Sequence, residues 1–445
     1  MRADSPVWHP FAQMAEHEAF PPLLIVGGEG GWLCDAEGRR YLDGNASIWT
    51  NVHGHNDPDL NAALARQLER TAHSTLLGLK HPPAEELAQR LVRIAPAGLE
   101  RVFYSDNGAG AVEVALKQSF QYWQLRGQPQ RRGVIGMQGG YHGDTFGAMA
   151  AGDSALFHGR FRSWCFPARH FAAPASGEAA SSPPLSAEGQ ASASLSDLRQ
   201  LLEREAAETA CVILEPSVQG AAVMRLQPRG FLRAVADLCA EFDVHLICDE
   251  VFVAFGRLGV MTVCGAEGVT PDFLCLAKGL TAGYLPLAAT LTRREIFDAF
   301  LGTYSSGKAF YHGHTFTGNP LACAVALENI RKLERLIAEG VLEQHAGVFA
   351  AALERRFLRH PHVRALRHRG FAAAIDLAPD AGSDEIFPPD ERIGLKVCLR
   401  ARDHGLLLRP LGDSLLLVPP LCLDEAELVE LVDRTAAAID DFFAA

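Results

Sequence analysis

The sequence has no apolar run long enough to span a bilayer. Its densest late stretch is broken by Arg409 and Asp413. It also has no C-x-x-C pair. Its ten cysteines are scattered singly, which excludes a disulfide frame and points to reduced thiols. Positive charge is in short supply, with 41 Lys and Arg against 53 Asp and Glu, a net charge of −12. That balance excludes a general nucleic-acid binder and a protein drawn to anionic membranes. The opening MRADSPVWHPF has no basic-then-apolar leader pattern, so the expected location is the cytoplasm. Two histidine pairs, His53/His55 and His312/His314, lack third and fourth ligands at metal spacing, and no metal site is expected.

What is present is ordinary globular composition, 48% hydrophobic and 21% charged over 445 residues. That length suits two or three domains around a large core. The organising stretch runs from His245 to Leu280. One apolar run, His245 to Cys248, ends in Asp249-Glu250. A second, Phe273 to Leu276, ends in Ala277-Lys278-Gly279. Both read as short buried strands. Ligands of open α/β sheets sit at the carboxyl ends of strands, so this acid and this amine can face one crevice. The pairing suits pyridoxal phosphate: a lysine for the aldehyde, and a carboxylate to hold the ring nitrogen protonated.

A rival reading makes Asp249 a magnesium ligand in a nucleotide-binding α/β protein, with Gly302 to Lys308 as its phosphate loop. Ala309 stands where that loop needs a hydroxyl, and EIFDAFL before it reads as helix rather than strand. The glycines at 27, 28, 30 and 31 are followed by no helix. Trp32-Leu33-Cys34 and Arg40-Tyr41-Leu42 read instead as a hairpin around Asp35 to Gly38.

Further along, Asp57-Pro58 caps a helix whose stripe is Leu60, Leu64 and Leu68. A second helix covers about Glu85–Ile94. A strand at Val102-Phe103-Tyr104 runs into Asn107-Gly108-Ala109 and a helix with an apolar stripe of Val112, Leu116, Phe120 and Trp123. A glycine turn opening a helix is an anion site. The Gly140-Tyr141-His142-Gly143-Asp144 turn offers an aromatic that could cover a flat ring. Residues 172–196 read as a low-complexity exposed loop, with a helix resuming at Asp197. A strand at Cys211–Leu214 ends in Glu215-Pro216, and a helix spans Gly230 to Phe242. Tyr284 to Leu291 reads as a strand pair, and Pro320 begins a long helix. Arg409, on an apolar strand, needs an anionic partner: a salt bridge, or a substrate carboxylate.

Asp249-Glu250, Phe255-Gly256-Arg257, Lys278, Glu215-Pro216 with Gln219-Gly220-Ala221, and the loop His312 to Pro320 together resemble the class III aminotransferases. The resemblance covers nearly the whole chain. It implies the α/β fold of PLP fold type I: a large domain with a mostly parallel central sheet flanked by helices, and a smaller α+β domain. The expected division is an N-terminal segment at 1–58 joining the small domain, a large domain at 59–317, and the small domain at 318–445. It further implies Lys278, Asp249 and Tyr141 as catalytic residues. Val251, Asn107, Gly108 and Ala109 join them around the cofactor. Asn107-Gly108-Ala109 departs from the family's usual turn by lacking serine hydroxyls. Thr315 is implied to reach the cofactor of a partner subunit in a homodimer.

The segments W-x-P-F, W-x-N-x-H-G-H, G-Y-H-G-D-T-F-G-A and L-R-P-L-G-D resemble the branch of that family that aminates 8-amino-7-oxononanoate in biotin biosynthesis. That branch implies substrate contacts at Arg409, Trp49, Ile48, Phe11, Asp144 and Gly313, with Arg409 on the carboxylate. Its amino donor is S-adenosylmethionine or L-lysine. Ile48 and Phe11 stand where users of S-adenosylmethionine carry Trp and Tyr, so lysine is the expected donor. The alternative is another class III enzyme acting on a different ω-amino acid or diamine.

Overall fold

The computed structural model describes residues 5–174, 187–382 and 385–444. Its centre is a seven-stranded sheet. In chain order the strands are β1 (Leu99–Ser105), β2 (Gly133–Met137), β3 (Arg169–Phe171), β4 (Thr209–Leu214), β5 (His245–Asp249), β6 (Phe273–Leu276) and β7 (Ala288–Arg293). In space they run β1-β7-β6-β5-β4-β2-β3. Only β7 is antiparallel to its neighbours, β1 and β6. Every residue of β4, β5 and β6 is buried. These strands are continuous apolar runs because helices cover both faces of the sheet, leaving no solvent side to alternate with.

That arrangement sends the carboxyl ends of β1, β2, β4, β5 and β6 to one edge. The start of β7 meets them there, because it runs the other way. The buried Thr290 of β7 donates its hydroxyl to Ala111 O at 2.7 Å, which satisfies a polar group inside the core.

A second sheet pairs Val363–Arg369, Ala372–Leu377, Ser414–Leu417 and Arg409–Leu411, all antiparallel. The hairpin forms, with Trp32–Asp35 against Arg40–Asp43. Leu406–Leu407 then adds to it in parallel, and Trp32 Nε1 donates to Glu427 at 3.0 Å. The two ends of the chain are thereby tied together.

Several expectations are corrected. Leu68 is 58% exposed and Phe120 46% exposed, so neither belongs to its helix's buried stripe. Tyr284 to Leu291 is not a strand pair. A single strand begins at Ala288, and Tyr284 to Leu287 line a cavity instead. The helix expected from Asp197 already begins at Ala187 and runs to Glu205, because Ala-rich sequence is a good helix former even at low complexity. Residues 175–186 of the expected loop lie outside the described residues.

Among the described residues no single helix is long and apolar enough to cross a membrane. The helices Pro320–Ala338 and Val341–Phe357 pass that test only as a pair bent by 72°. Their apolar side chains, such as Ile330, Leu333, Phe349 and Leu353, are packed in the core.

Candidate active site

At the common strand edge lies a cavity of about 660 Å³, a size suited to a cofactor with its substrate. Every strand but the edge strand β3 contributes to its wall: Asp106 to Ala109 after β1, Tyr141 to Thr145 after β2, Glu215 after β4, Asp249 and Val251 at the end of β5, Lys278 after β6, and Tyr284 to Leu287 before β7.

The turn after β1 opens the helix Gly108–Leu125. Asn107 is its N-cap, and its Oδ1 accepts the Gly110 N–H at 2.8 Å. The N–H groups of Gly108 and Ala109 precede any intrahelical acceptor, so they and the helix dipole form an anion site. Gly108 has to be glycine, since a Cβ there would lie 2.7 Å from Val251 Cγ1. Gly143 has to be glycine as well. Its φ is +116° and an added Cβ would lie 2.4 Å from that of Ala109. The second turn is thereby locked against the first.

Asp249 is held through both oxygens. Oδ1 accepts the Val251 N–H at 3.0 Å, and Oδ2 lies 2.7 Å from His142 Nδ1. Burial on its own would depress the imidazole pKa. The hydrogen bond and charge of Asp249, helped by Glu215, outweigh that and raise it. Glu215 accepts the N–H groups of Tyr141 at 3.1 Å and Gly220 at 3.0 Å. Burial pushes its carboxyl up to about 7, against the pull of His142. The sequence alone assigns neither Glu215 nor His142 a role at the site. Their G-Y-H-G and E-P motifs were visible, but the link to Asp249 crosses three strands and has no local pattern.

Lys278 sits at the cavity with φ +45°, a left-handed conformation that is uncommon for a lysine and strains its backbone. Burial lowers its amine pKa, while the charges of Asp249 and Glu215 pull the other way.

The neighbouring residues of the Asp249-Glu250 pair divide their labour. Asp249 faces the cavity, while Glu250 turns away to accept the Val263 and Cys264 N–H groups at 2.6 and 2.7 Å. Arg257 donates to the Pro419, Phe371 and Asn51 carbonyls at 2.6, 3.3 and 3.4 Å, and burial lowers its pKa to about 9.

Tyr141 reaches the cavity wall with its hydroxyl 3.0 Å from both oxygens of Asp144. His158 Nε2 holds the same carboxylate at 2.9 Å. The Tyr141 ring stacks on His158, with centroids 5.4 Å apart. Burial, then Asp144, raises the phenol pKa.

Arg409, Phe11, Ile48, Gly313 and Thr315 do not line the cavity. The Arg409 guanidinium lies over the Phe11 ring at 5.6 Å. Phe11 meets Phe157 edge-on at 5.5 Å, and Phe157 meets Tyr141 at 5.8 Å. The Arg409 side chain has no hydrogen bond or ion pair among the described residues, and burial lowers its pKa. Ile48 is 46% exposed, in a run from Ala46 to Trp49 where every φ is positive. Gly313 and Thr315 are exposed on a loop whose His314 pairs with Asp106 at 3.5 Å.

The donor set fits pyridoxal phosphate: an anion cradle at a helix start, an anchored carboxylate and a strained lysine, all in one cavity. Among the described residues no cluster suits a metal ion.

The class III aminotransferase family matches residues 13–439. An adenosylmethionine-8-amino-7-oxononanoate aminotransferase from Geobacter sulfurreducens is 47% identical, with 97% of this chain and 95% of the relative covered. One of the same name from Aquifex aeolicus is 43% identical over 98% and 95%. The crystal structure of a third, from Methanocaldococcus jannaschii, superposes with a TM-score of 0.92 at 40% identity, covering 98% and 97%. An amine transaminase from an uncultivated Pseudomonas species, in its PLP-bound form, gives a TM-score of 0.91 at 32% identity over 99% and 100%. The chain therefore belongs to the class III aminotransferases, PLP-dependent enzymes of fold type I.

Proposed function

We propose that the protein transfers an amino group to the ketone of 8-amino-7-oxononanoate, giving 7,8-diaminononanoate in biotin biosynthesis. The observation that carries the reading is the meeting of Lys278, Asp249 and the Gly108–Ala109 helix start at one cavity. The names of the relatives at 43–47% identity support the choice of ketone.

Pyridoxal phosphate, when bound, supplies the aldehyde that takes up the amino group and the ring that withdraws electrons from the reacting carbon. Gly108, Ala109 and Asn107 would hold its phosphate. Asp249, fixed by His142 and the Val251 N–H, would keep a proton on its ring nitrogen. Val251 and Tyr141 would flank the ring. Lys278 anchors the cofactor and then moves the proton at the reacting carbon, first as base and then as acid. Its depressed pKa leaves more of the amine unprotonated for that task.

Arg409 holds the carboxylate end of the substrate. It is a half-buried cation without an anionic partner among the described residues, and a planar fork suits a carboxylate. Trp49, Ile48 and Phe11 wall the carbon chain, with Asp144 and Gly313 near the amino end. Thr315 serves the cofactor of a second copy in a cytoplasmic homodimer. Its exposure outside its own cavity supports that reading.

L-lysine is the proposed donor, on the strength of Ile48 and Phe11. A second reading, S-adenosylmethionine, is favoured by the names of the relatives. The test incubates the holoenzyme with the ketone and each donor separately. Formation of 7,8-diaminononanoate with lysine alone supports the first reading, and with S-adenosylmethionine alone the second. No product with either overturns the choice of ketone and leaves another ω-amino acid or diamine as substrate.

A further inference from the structure

The roles above leave Phe252, a large side chain of the cavity wall, unused. Phe252 follows the Asp249 turn, is 6% exposed, and lines the same cavity as Lys278. Its ring lies 4.6 Å from that of Trp49, tilted by 49°. Lys278 Nζ sits over both, 4.8 Å from the Trp49 ring centroid and 5.4 Å from that of Phe252. Gly220 makes the pairing possible, since a Cβ there would come 3.0 Å from Trp49 and 3.1 Å from Phe252. Among the described residues no carboxylate or carbonyl hydrogen-bonds this amine. Asp249, Glu215 and Arg257 act on it only through their charge.

We propose that Phe252, together with Trp49, is the positioning residue for the Lys278 amine, holding it against two adjoining ring faces whenever it is free to move a proton. The inference rests on the reading that Lys278 is the proton carrier. Its physical basis is the demand made on that amine. A primary amine on a four-carbon stem has many rotamers, and a proton carrier must return to one place. A carboxylate there would fix it but also hold its proton. Aromatic faces attract the ammonium form through the ring quadrupole without a directional bond. They therefore fix position while leaving the proton transferable. Trp49 has a second duty as part of the substrate wall, so Phe252 isolates the effect better.

The experiment compares Phe252→Leu with Phe252→Tyr in the holoenzyme, using a donor deuterated at the carbon that bears its amino group. Phe252→Leu is expected to keep its cofactor by visible absorbance and to keep KM. Its kcat should fall about tenfold, with an enlarged isotope effect as proton transfer becomes more limiting. Phe252→Tyr keeps a ring face and should match the wild type.

A second readout uses cofactor-free protein. The pH midpoint for acetylation of Lys278 by acetic anhydride, followed on its peptide by mass spectrometry, should be lower in Phe252→Leu. If that variant does not fold, Trp49→Leu carries the isotope-effect and acetylation measurements, its KM being left aside because Trp49 also walls the substrate. Unchanged kcat and isotope effect, or a raised KM at constant kcat, overturns the proposal and leaves Phe252 as wall only. Lys278→Ala distinguishes the two failures. If that variant is inactive while Phe252→Leu is normal, only the positioning role falls. If Lys278→Ala turns over normally, the reading beneath it falls as well.

Discussion

His142 Nδ1 lies 2.7 Å from Asp249 Oδ2, with the histidine side chain fully buried and that of the aspartate 5% exposed. The carboxylate that would face the cofactor ring is thus held from behind by a group with no route to solvent. Leaving one buried partner unsatisfied costs about 1–3 kcal/mol. His142→Leu should therefore retain the fold but lower kcat by roughly tenfold to a hundredfold. Asp249→Asn, which removes the charge altogether, should bind cofactor and turn over at least as poorly. Steady-state kinetics beside the visible spectrum check both. Full activity in either would show that ring protonation does not depend on this pair.

Lys278→Ala removes both the anchor and the proton carrier. The loss in kcat should be at least the 10²–10⁴-fold (roughly) that a positioned acid–base group supplies. Single-turnover mixing with the donor is the sharper assay, because it excludes slow product release. Near-normal conversion would end the assignment.

Glu215 gives a pH prediction with a definite sign. Its folded pKa, about 7, lies above the ordinary glutamate value of 4.5, because the carboxyl is buried. The folded state therefore holds a proton that the unfolded state has released. Its stabilising contribution is full below about pH 4.5 and is lost as pH rises through 7. Glu215→Gln keeps the shape and cannot ionise. Relative to wild type, this variant should gain on the order of 2 kcal/mol in urea unfolding between pH 5 and pH 8. A difference that stays flat with pH would mean that Glu215 remains charged when folded.

Arg409 has no anionic partner among the described residues. Arg409→Ala should therefore change stability little and substrate binding greatly. A charge-assisted pair with a carboxylate contributes about 1.5–3 kcal/mol, so KM for the ketone should rise by roughly tenfold to a hundredfold, with a smaller effect on kcat. A fall in melting temperature with unchanged KM would make it a structural residue.

The sequence by itself determined the elements around the site. Buried strands show as unbroken apolar runs, so β4, β5 and β6 and the chemistry at their ends, Asp249 and Lys278, could be read directly. Caps were equally local. Asp57 accepts the Asp59 and Leu60 N–H groups as its position before Pro58 implied. Exposure was less legible. Leu68 and Phe120 sit on the right helical period but at the margin of their faces, and periodicity alone does not say how far a covering layer extends. Tertiary structure alone decided which groups meet. His142 and Asp249 are 107 residues apart, and the ring of Phe252 closes on Lys278 only through the pairing of β5 with β6. Local sequence encodes backbone preference and burial, which depend on near neighbours. The contacts that tune a lysine or hold a carboxylate depend on strand order, and that order is settled only when the whole sheet assembles.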